Sequence, residues 1–122
     1  MFMAFESFTC PTVIYRADFS QVDDNMPVEL KELRRMRIEG LDEKDFKVEQ
    51  VFYPSKDGTK IPMFVISSTD LSLNGQNPTL LNGYGGFNIA RPPAFSLTSL
   101  MFVKHYGGVV ANANIRGGRL GF

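Results

Sequence analysis

The run Gly83-Tyr84-Gly85-Gly86-Phe87-Asn88, directly behind the apolar stretch Thr79-Leu80-Leu81, decides how this chain is read. Thr79 to Asn82 reads as a buried strand. Glycines at its end let the backbone turn with its amide groups exposed, as a site that receives developing negative charge requires. Tyr84 adds a hydroxyl donor beside those amides. About a helix later the pattern returns: Val109-Val110-Ala111-Asn112-Ala113 reads as a second buried strand and leads into Asn114-Ile115-Arg116-Gly117-Gly118. The first glycine run has neither the spacing of a dinucleotide fingerprint nor the Lys-Ser/Thr ending of a P-loop, which argues against nucleotide binding. A plain structural turn and an anion-stabilising loop remain as its two readings.

Between the two runs, Pro92-Pro93 stops the chain and Ser96 can cap a helix with apolar positions at Leu97, Leu100, Met101 and Val103 or Phe102. Gly107-Gly108 ends it, with Lys104 and His105 in the last turn, where cations suit the helix dipole. Before the first run, Asn74-Gly75-Gln76-Asn77-Pro78 is a loop by composition. Further upstream, Phe46, Val48, Val51 and Tyr53 give a strand with one irregularity in its alternation. Lys56-Asp57-Gly58-Thr59 is a tight-turn signature, and Ile61 to Ile66 returns as the second arm with Pro62 at its edge or start. From residue 45 onward the order is strand, hairpin turn, strand, loop, strand, helix, strand. That is the opening of an α/β sheet with an antiparallel hairpin at its edge.

The N-terminal third is less regular. Residues 1–8 and 12–18 are aromatic and β-branched runs separated by Thr9-Cys10-Pro11, a hairpin-like signal with Pro11 at the turn or strand edge. Asn25-Met26-Pro27 breaks the chain after the polar segment that starts at Ser20. Residues 28–38 fit either a short helix, through Leu30, Leu33 and Met36, or a charged strand or connector ending at Gly40.

At 122 residues, 43% hydrophobic and 21% charged, the composition is that of one small globular domain. Thirteen Lys and Arg against thirteen Asp and Glu leave no net charge, and so no electrostatic case for nucleic acid or an anionic membrane. No apolar run approaches the ~18 residues of a membrane span. The start Met1-Phe2-Met3-Ala4-Phe5-Glu6 lacks the basic leader of a signal peptide. The single Cys10 favours a reducing, cytoplasmic setting and reads as a buried small residue rather than a nucleophile. His105, the only histidine, sits at a helix end with no carboxylate at a telling spacing, which favours a capping or surface role. No cluster has metal-ligand spacing, and the Glu29 to Arg37 charge run reads as a solvated face. Arg91 and Arg116 could each meet a substrate carboxylate, but hydrogen bonding to loop carbonyls is the favoured role for both.

Three segments together resemble the prolyl oligopeptidase (prolyl endopeptidase) family of serine peptidases. They are Gln50-Val51-Phe52-Tyr53-Pro54-Ser55-Lys56-Asp57-Gly58-Thr59-Lys60-Ile61-Pro62-Met63-Phe64, then Gly83 to Asn88, then Ala113 to Gly118. The resemblance is weak from Phe5 to Tyr15 and strong from Gln50 to Gly118. It implies a β-propeller joined to an α/β-hydrolase domain, cleavage of short proline-containing peptides after proline, and no cofactor. Residues 1–38 would then be a remnant of the last propeller strands, and 39–122 the N-terminal part of an incomplete hydrolase domain. Position by position, the family's oxyanion-hole tyrosine maps to Tyr84 and a phenylalanine lining the proline pocket to Phe87. A phenol O–H can stabilise a tetrahedral oxyanion, and an aromatic face suits a proline ring.

The chain also departs from the family. Members read Gly-Gly-Gly-Glu after Asn-Ile-Arg, whereas Arg119 stands here in place of the third glycine and Leu120, Gly121 and Phe122 follow. The nucleophilic serine, the acidic residue and the histidine of the triad lie beyond that point in the family, so this polypeptide is expected to be inactive alone. Asn82 stands where a tyrosine is common. Two alternatives accompany this expectation. One is a non-catalytic short form that binds peptides or a subunit; the other is a relative with acyl-peptide hydrolase or esterase activity, against which Gly-Tyr-Gly-Gly-Phe argues.

Overall fold

The computed structural model describes residues 1–20 and 27–118. The break at Asn25-Met26 and the tail Arg119 to Phe122 lie outside the described residues. At the N-terminus, β1 (Phe2–Phe5) pairs antiparallel with β2 (Val13–Ala17), from Phe2 opposite Arg16 to Phe5 opposite Val13. Ser7 ties their connection: its hydroxyl accepts from the amides of Thr9 and Cys10 at 3.3 and 3.0 Å, and its own amide donates to the Cys10 carbonyl. The expected hairpin with Pro11 in its turn is therefore present, and Cys10 and Pro11 are buried there.

Residues 28–38 resolve as the strand of the two readings, not the helix: β3 (Leu30–Arg35) lies on the free side of β2. Leu30 and Leu33 remain about half exposed, so a helix here would have had no core to bury them in. A six-residue segment is also too short to hold a helix unaided, whereas the β2 edge offers a hydrogen-bonded partner at every other residue. The pairing jumps from Ile14 opposite Arg34 to Tyr15 opposite Glu32, which leaves Leu33 as a bulge.

A single 3₁₀ turn (Glu43–Asp45), capped by the Asp42 carboxylate accepting from Lys44, leads into the second sheet. Its strands β4 (Phe46–Pro54), β5 (Lys60–Ser68), β6 (Thr79–Gly83) and β7 (Val109–Ala113) lie in the order β4-β5-β7-β6. The β4–β5 hairpin closes over Ser55 to Thr59, with Gly58 at φ +84° as the Asp-Gly pair implies. Its register is unbroken from Phe46 opposite Ser68 to Pro54 opposite Lys60, so the irregular alternation at Val48, Val51 and Phe52 is no bulge. Those residues are exposed because β4 is an edge strand. β7 runs antiparallel to β5 and parallel to β6, and helix α1 (Leu97–Tyr106) bridges the parallel pair. This is the α/β arrangement expected.

Helix α1 begins where Ser96 accepts from the Ser99 amide and ends at Gly107 in the left-handed region. Leu100 and Val103 are the helix residues that reach the core, where they meet Ile66 and Val110 of the sheet and Phe46. Leu97 and Met101, expected on the apolar face, are exposed instead. Phe8 enters the same core from the β1–β2 connection, its ring 5.1 Å from that of Phe64, and so fastens the first sheet to the second. Lys104 adds a polar tie from α1 to the Gly40 carbonyl and the Asp45 carboxylate.

Thr79 to Leu81, expected to be buried, is not covered by the described residues: Leu80 is 47% and Leu81 67% exposed, because within this segment β6 pairs with β7 alone. Val109 to Ala111 and Ala113, of similar composition, are buried because β7 is flanked on both sides. Position in the sheet, not hydrophobicity, sets the difference.

Candidate functional site

The antiparallel β5–β7 pair and the parallel β6–β7 pair place three chain turns at one end of the sheet. Gly83 lies opposite Ala113, and Ala113 opposite Met63, so the loops after β6 and β7 emerge beside the β4–β5 turn. Loops beyond the carboxyl ends of parallel strands are where open α/β sheets bind ligands. The amide of Asn114 continues the ladder by one bond, to the Pro62 carbonyl at 2.9 Å.

The two glycine runs meet there and fit each other without side chains. A Cβ on Gly117, at φ +92°, would sit 2.0 Å from the Gly85 carbonyl oxygen. A Cβ on Gly85 would sit 2.4 Å from the Arg116 carbonyl oxygen. Gly85 is thus required by close approach rather than by an unusual φ. The Asn88 amide donates to the Gly117 carbonyl at 2.9 Å and the Ile89 amide to the Gly86 carbonyl at 3.1 Å. Those two amides are committed to the loop. Among the described residues, the amides of Gly85, Gly86 and Phe87 have no protein acceptor.

Tyr84 stands at the first position beyond β6, partly exposed, with its phenol turned back over Gly86. Phe87 and Asn88 both lie in the left-handed region, at φ 53° and 56°, a conformation that costs a non-glycine residue on the order of 1–2 kcal/mol. Consecutive residues held so are an observed strain of the kind that collects at functional sites. Within this segment Phe87 is 91% exposed.

Tyr84 also lines an open groove of about 650 Å³ between the loop after β6 and the start of α1, together with Leu80, Asn82, Arg91, Phe95 and Ser99. In its floor, Asn82 donates to the Asn112 side-chain oxygen at 3.3 Å, across directly paired positions of β6 and β7. A second groove, about 670 Å³, lies beneath the 36–44 connector and holds none of the candidate residues.

Of the other residues singled out, Cys10 is buried, its thiol pushed up chiefly by that burial, and it donates to the Pro11 carbonyl. This fits a packing role. His105 is exposed at the end of α1, away from Tyr84's groove. Arg91 is held through its backbone, which donates to the Asn114 side-chain oxygen, while Asn114 is buried with its Nδ2 facing no acceptor among the described residues. Arg116 binds side chains rather than loop carbonyls: its guanidinium pairs with the Asp57 carboxylate and donates to the Ser55 hydroxyl at 3.0 Å. That pairing holds the Asp57 carboxyl down at about 2, helped by the Thr59 amide. The sequence marks Asp57 only as a turn residue, and no spacing signal joins positions 59 apart.

Among the described residues no three His, Cys, Asp or Glu side chains come together as metal ligands, and no helix is long and apolar enough to cross a membrane. No family model matches the chain. Its sequence is 43% identical over 118 residues to the prolyl oligopeptidase ophP of Omphalotus olearius, a match that takes in 97% of this chain. It is also 43% identical over 117 residues to the dual function macrocyclase-peptidase POPB of Amanita bisporigera. The chain is similar to prolyl oligopeptidases along nearly its whole length. The fold agrees: prolyl oligopeptidase B from Galerina marginata, solved with a 25-residue macrocyclization substrate, superposes with a TM-score of 0.87 at 38% identity over 96% of this chain. The chain spans 15% of the length of ophP and 16% of POPB and of the solved structure. Within this segment, the three stretches quoted for the resemblance meet at one end of the second sheet, where the β4–β5 turn and the two glycine loops lie together.

Proposed function

We propose that this segment supplies an oxyanion donor and part of the proline-binding wall to a serine peptidase that hydrolyses short peptides after proline. The observation that carries the reading is the placement of Tyr84 where the two glycine loops interlock, next to the uncommitted amides of Gly85 and Gly86. As a nucleophile adds to the scissile carbonyl, the phenol O–H donates to the oxygen that takes up the charge. A donor already in place needs no reorganisation at that moment. Phe87, held out by its left-handed backbone, offers an aromatic face to the proline ring. Residues 39–122 then form the opening of an α/β-hydrolase domain and residues 1–38 the last strands of a propeller, in a cytoplasmic protein. The acyl-enzyme nucleophile and its base come from outside this segment, and the segment alone is inactive.

The test is a full-length chimera in which the matching 118 residues of ophP are replaced by this chain. The chimera turns over a prolyl reporter peptide, and Tyr84→Phe lowers kcat by ~10²–10³ with little change in KM. A folded chimera whose kcat is indifferent to Tyr84→Phe refutes the reading. So does an isolated 122-residue chain that hydrolyses the reporter.

A further inference from the structure

The Tyr84 loop leaves the sheet at the end of β6, and its contacts within this segment run to the loop after β7: Gly85 against Ile115, Arg116 and Gly117, and Asn88 to Gly117. The position of Tyr84 therefore depends on what holds residues 115–118. Ile115 and Arg116 are exposed, and Gly117 contributes no side chain. The fixed point within reach is the β4–β5 turn. That turn is closed by the Ser55 amide to the Thr59 carbonyl at 2.8 Å, by the Gly58 amide to the Ser55 carbonyl at 2.9 Å, and by the Thr59 amide to the Asp57 carboxylate at 3.2 Å. Arg116 grips it at two points, Asp57 and Ser55.

We propose that Arg116 and Asp57 are positioning residues for the Tyr84 donor, acting through Gly117 and Gly85. This deepens the peptidase reading above and rests on it. An ion pair about half exposed on both sides contributes little to stability, with a typical value of ~0–1 kcal/mol. Its consequence lies in geometry: the guanidinium spans one rigid turn and the loop whose backbone packs on Gly85. A donor displaced by about 1 Å can cost ~10² in rate, so a weak tie can have a large kinetic effect.

The chimera described above tests this by a mutant cycle. Arg116→Ala and Asp57→Asn each lower kcat by roughly 10- to 100-fold while KM stays within about threefold. The double variant is no worse than Arg116→Ala alone, which already removes both points of the grip. In a Tyr84→Phe background, Arg116→Ala costs nothing further. Asp57→Asn keeps the shape of the turn and a side-chain oxygen for the Thr59 amide, so it remains informative if Arg116→Ala folds poorly. Additive losses, an unchanged kcat in Asp57→Asn, or an equal loss in the Tyr84→Phe background would each overturn the proposal. If Tyr84→Phe lowers kcat while Asp57→Asn does not, positioning fails and the peptidase reading stands. If Tyr84→Phe has no effect, the peptidase reading itself has failed.

Discussion

Replacing Gly58, Gly85 and Gly117 by alanine, one at a time, separates two reasons for a glycine. Gly58 has φ +84° and nothing within 4 Å of where an added methyl would stand, so alanine there meets only backbone strain, about 1–2 kcal/mol. Gly85 is free of positive φ, but its methyl would sit 2.4 Å from the Arg116 carbonyl, an overpacking cost of about 1–3 kcal/mol. Gly117 meets both, with φ +92° and a contact of 2.0 Å, so the terms combine to roughly 2–5 kcal/mol. Since Cβ contacts under 3.0 Å are essentially unknown, relieving the Gly117 contact moves one loop by at least about 1 Å. The order of loss is therefore Gly117→Ala first, with the other two smaller. Urea midpoints of the 122-residue chain, followed by circular dichroism, measure it. Because Gly85 and Gly117 share one gap, their double variant loses less than the sum, whereas Gly58→Ala adds independently to either. A Gly85→Ala chain within about 0.5 kcal/mol of the parent would refute the interlocked-loop description, since that is the range of an ordinary surface change.

Two further outcomes follow from local contacts. Ser96→Ala removes the acceptor for the Ser99 amide at the start of α1 and lowers stability by about 1 kcal/mol, read as a drop in thermal midpoint; Ser96→Asp, which keeps an acceptor, does not. The Asp57 carboxyl, held at about 2 against an ordinary 3.8, contributes stability that is complete above the ordinary value and lost as pH falls through about 2. A carbon-detected titration of Asp57 shows that low midpoint, and in Arg116→Ala it moves back toward 3.8; a midpoint indifferent to Arg116 would refute the tie.

Features written in adjacent residues were legible before the structure. The Asp57-Gly58 turn and the Ser96 and Gly107 caps each depend on one or two residues and their own backbone, and each is where the sequence implied. Features set by neighbours in space were not. Leu80 and Leu81 carry the composition of an interior strand, yet burial of a strand is decided by what lies beside it, and among the described residues β6 has β7 alone. Residues 28–38 read equally as helix or strand because a charged stretch of that length has no strong preference, and the open edge of β2 decided the matter. At the candidate site, each glycine run by itself implies a device for exposing amides. Their mutual contact adds a second requirement, which no inspection of either run alone reveals, because it joins positions 32 apart, Gly85 and Gly117 (117 − 85 = 32). The partners of Arg116 lie equally far outside any local window.

The left-handed pair at Phe87 and Asn88 has a consequence for affinity. A ring kept 91% in water forgoes the hydrophobic gain that folding gives most phenylalanines. Whatever apolar group covers it collects that gain instead, about 1.5–3 kcal/mol for full burial, which corresponds to roughly 10- to 150-fold in binding. A side chain that relaxed inward would use that increment within the segment itself, and alanine at Phe87 forgoes it for any group that covers the position.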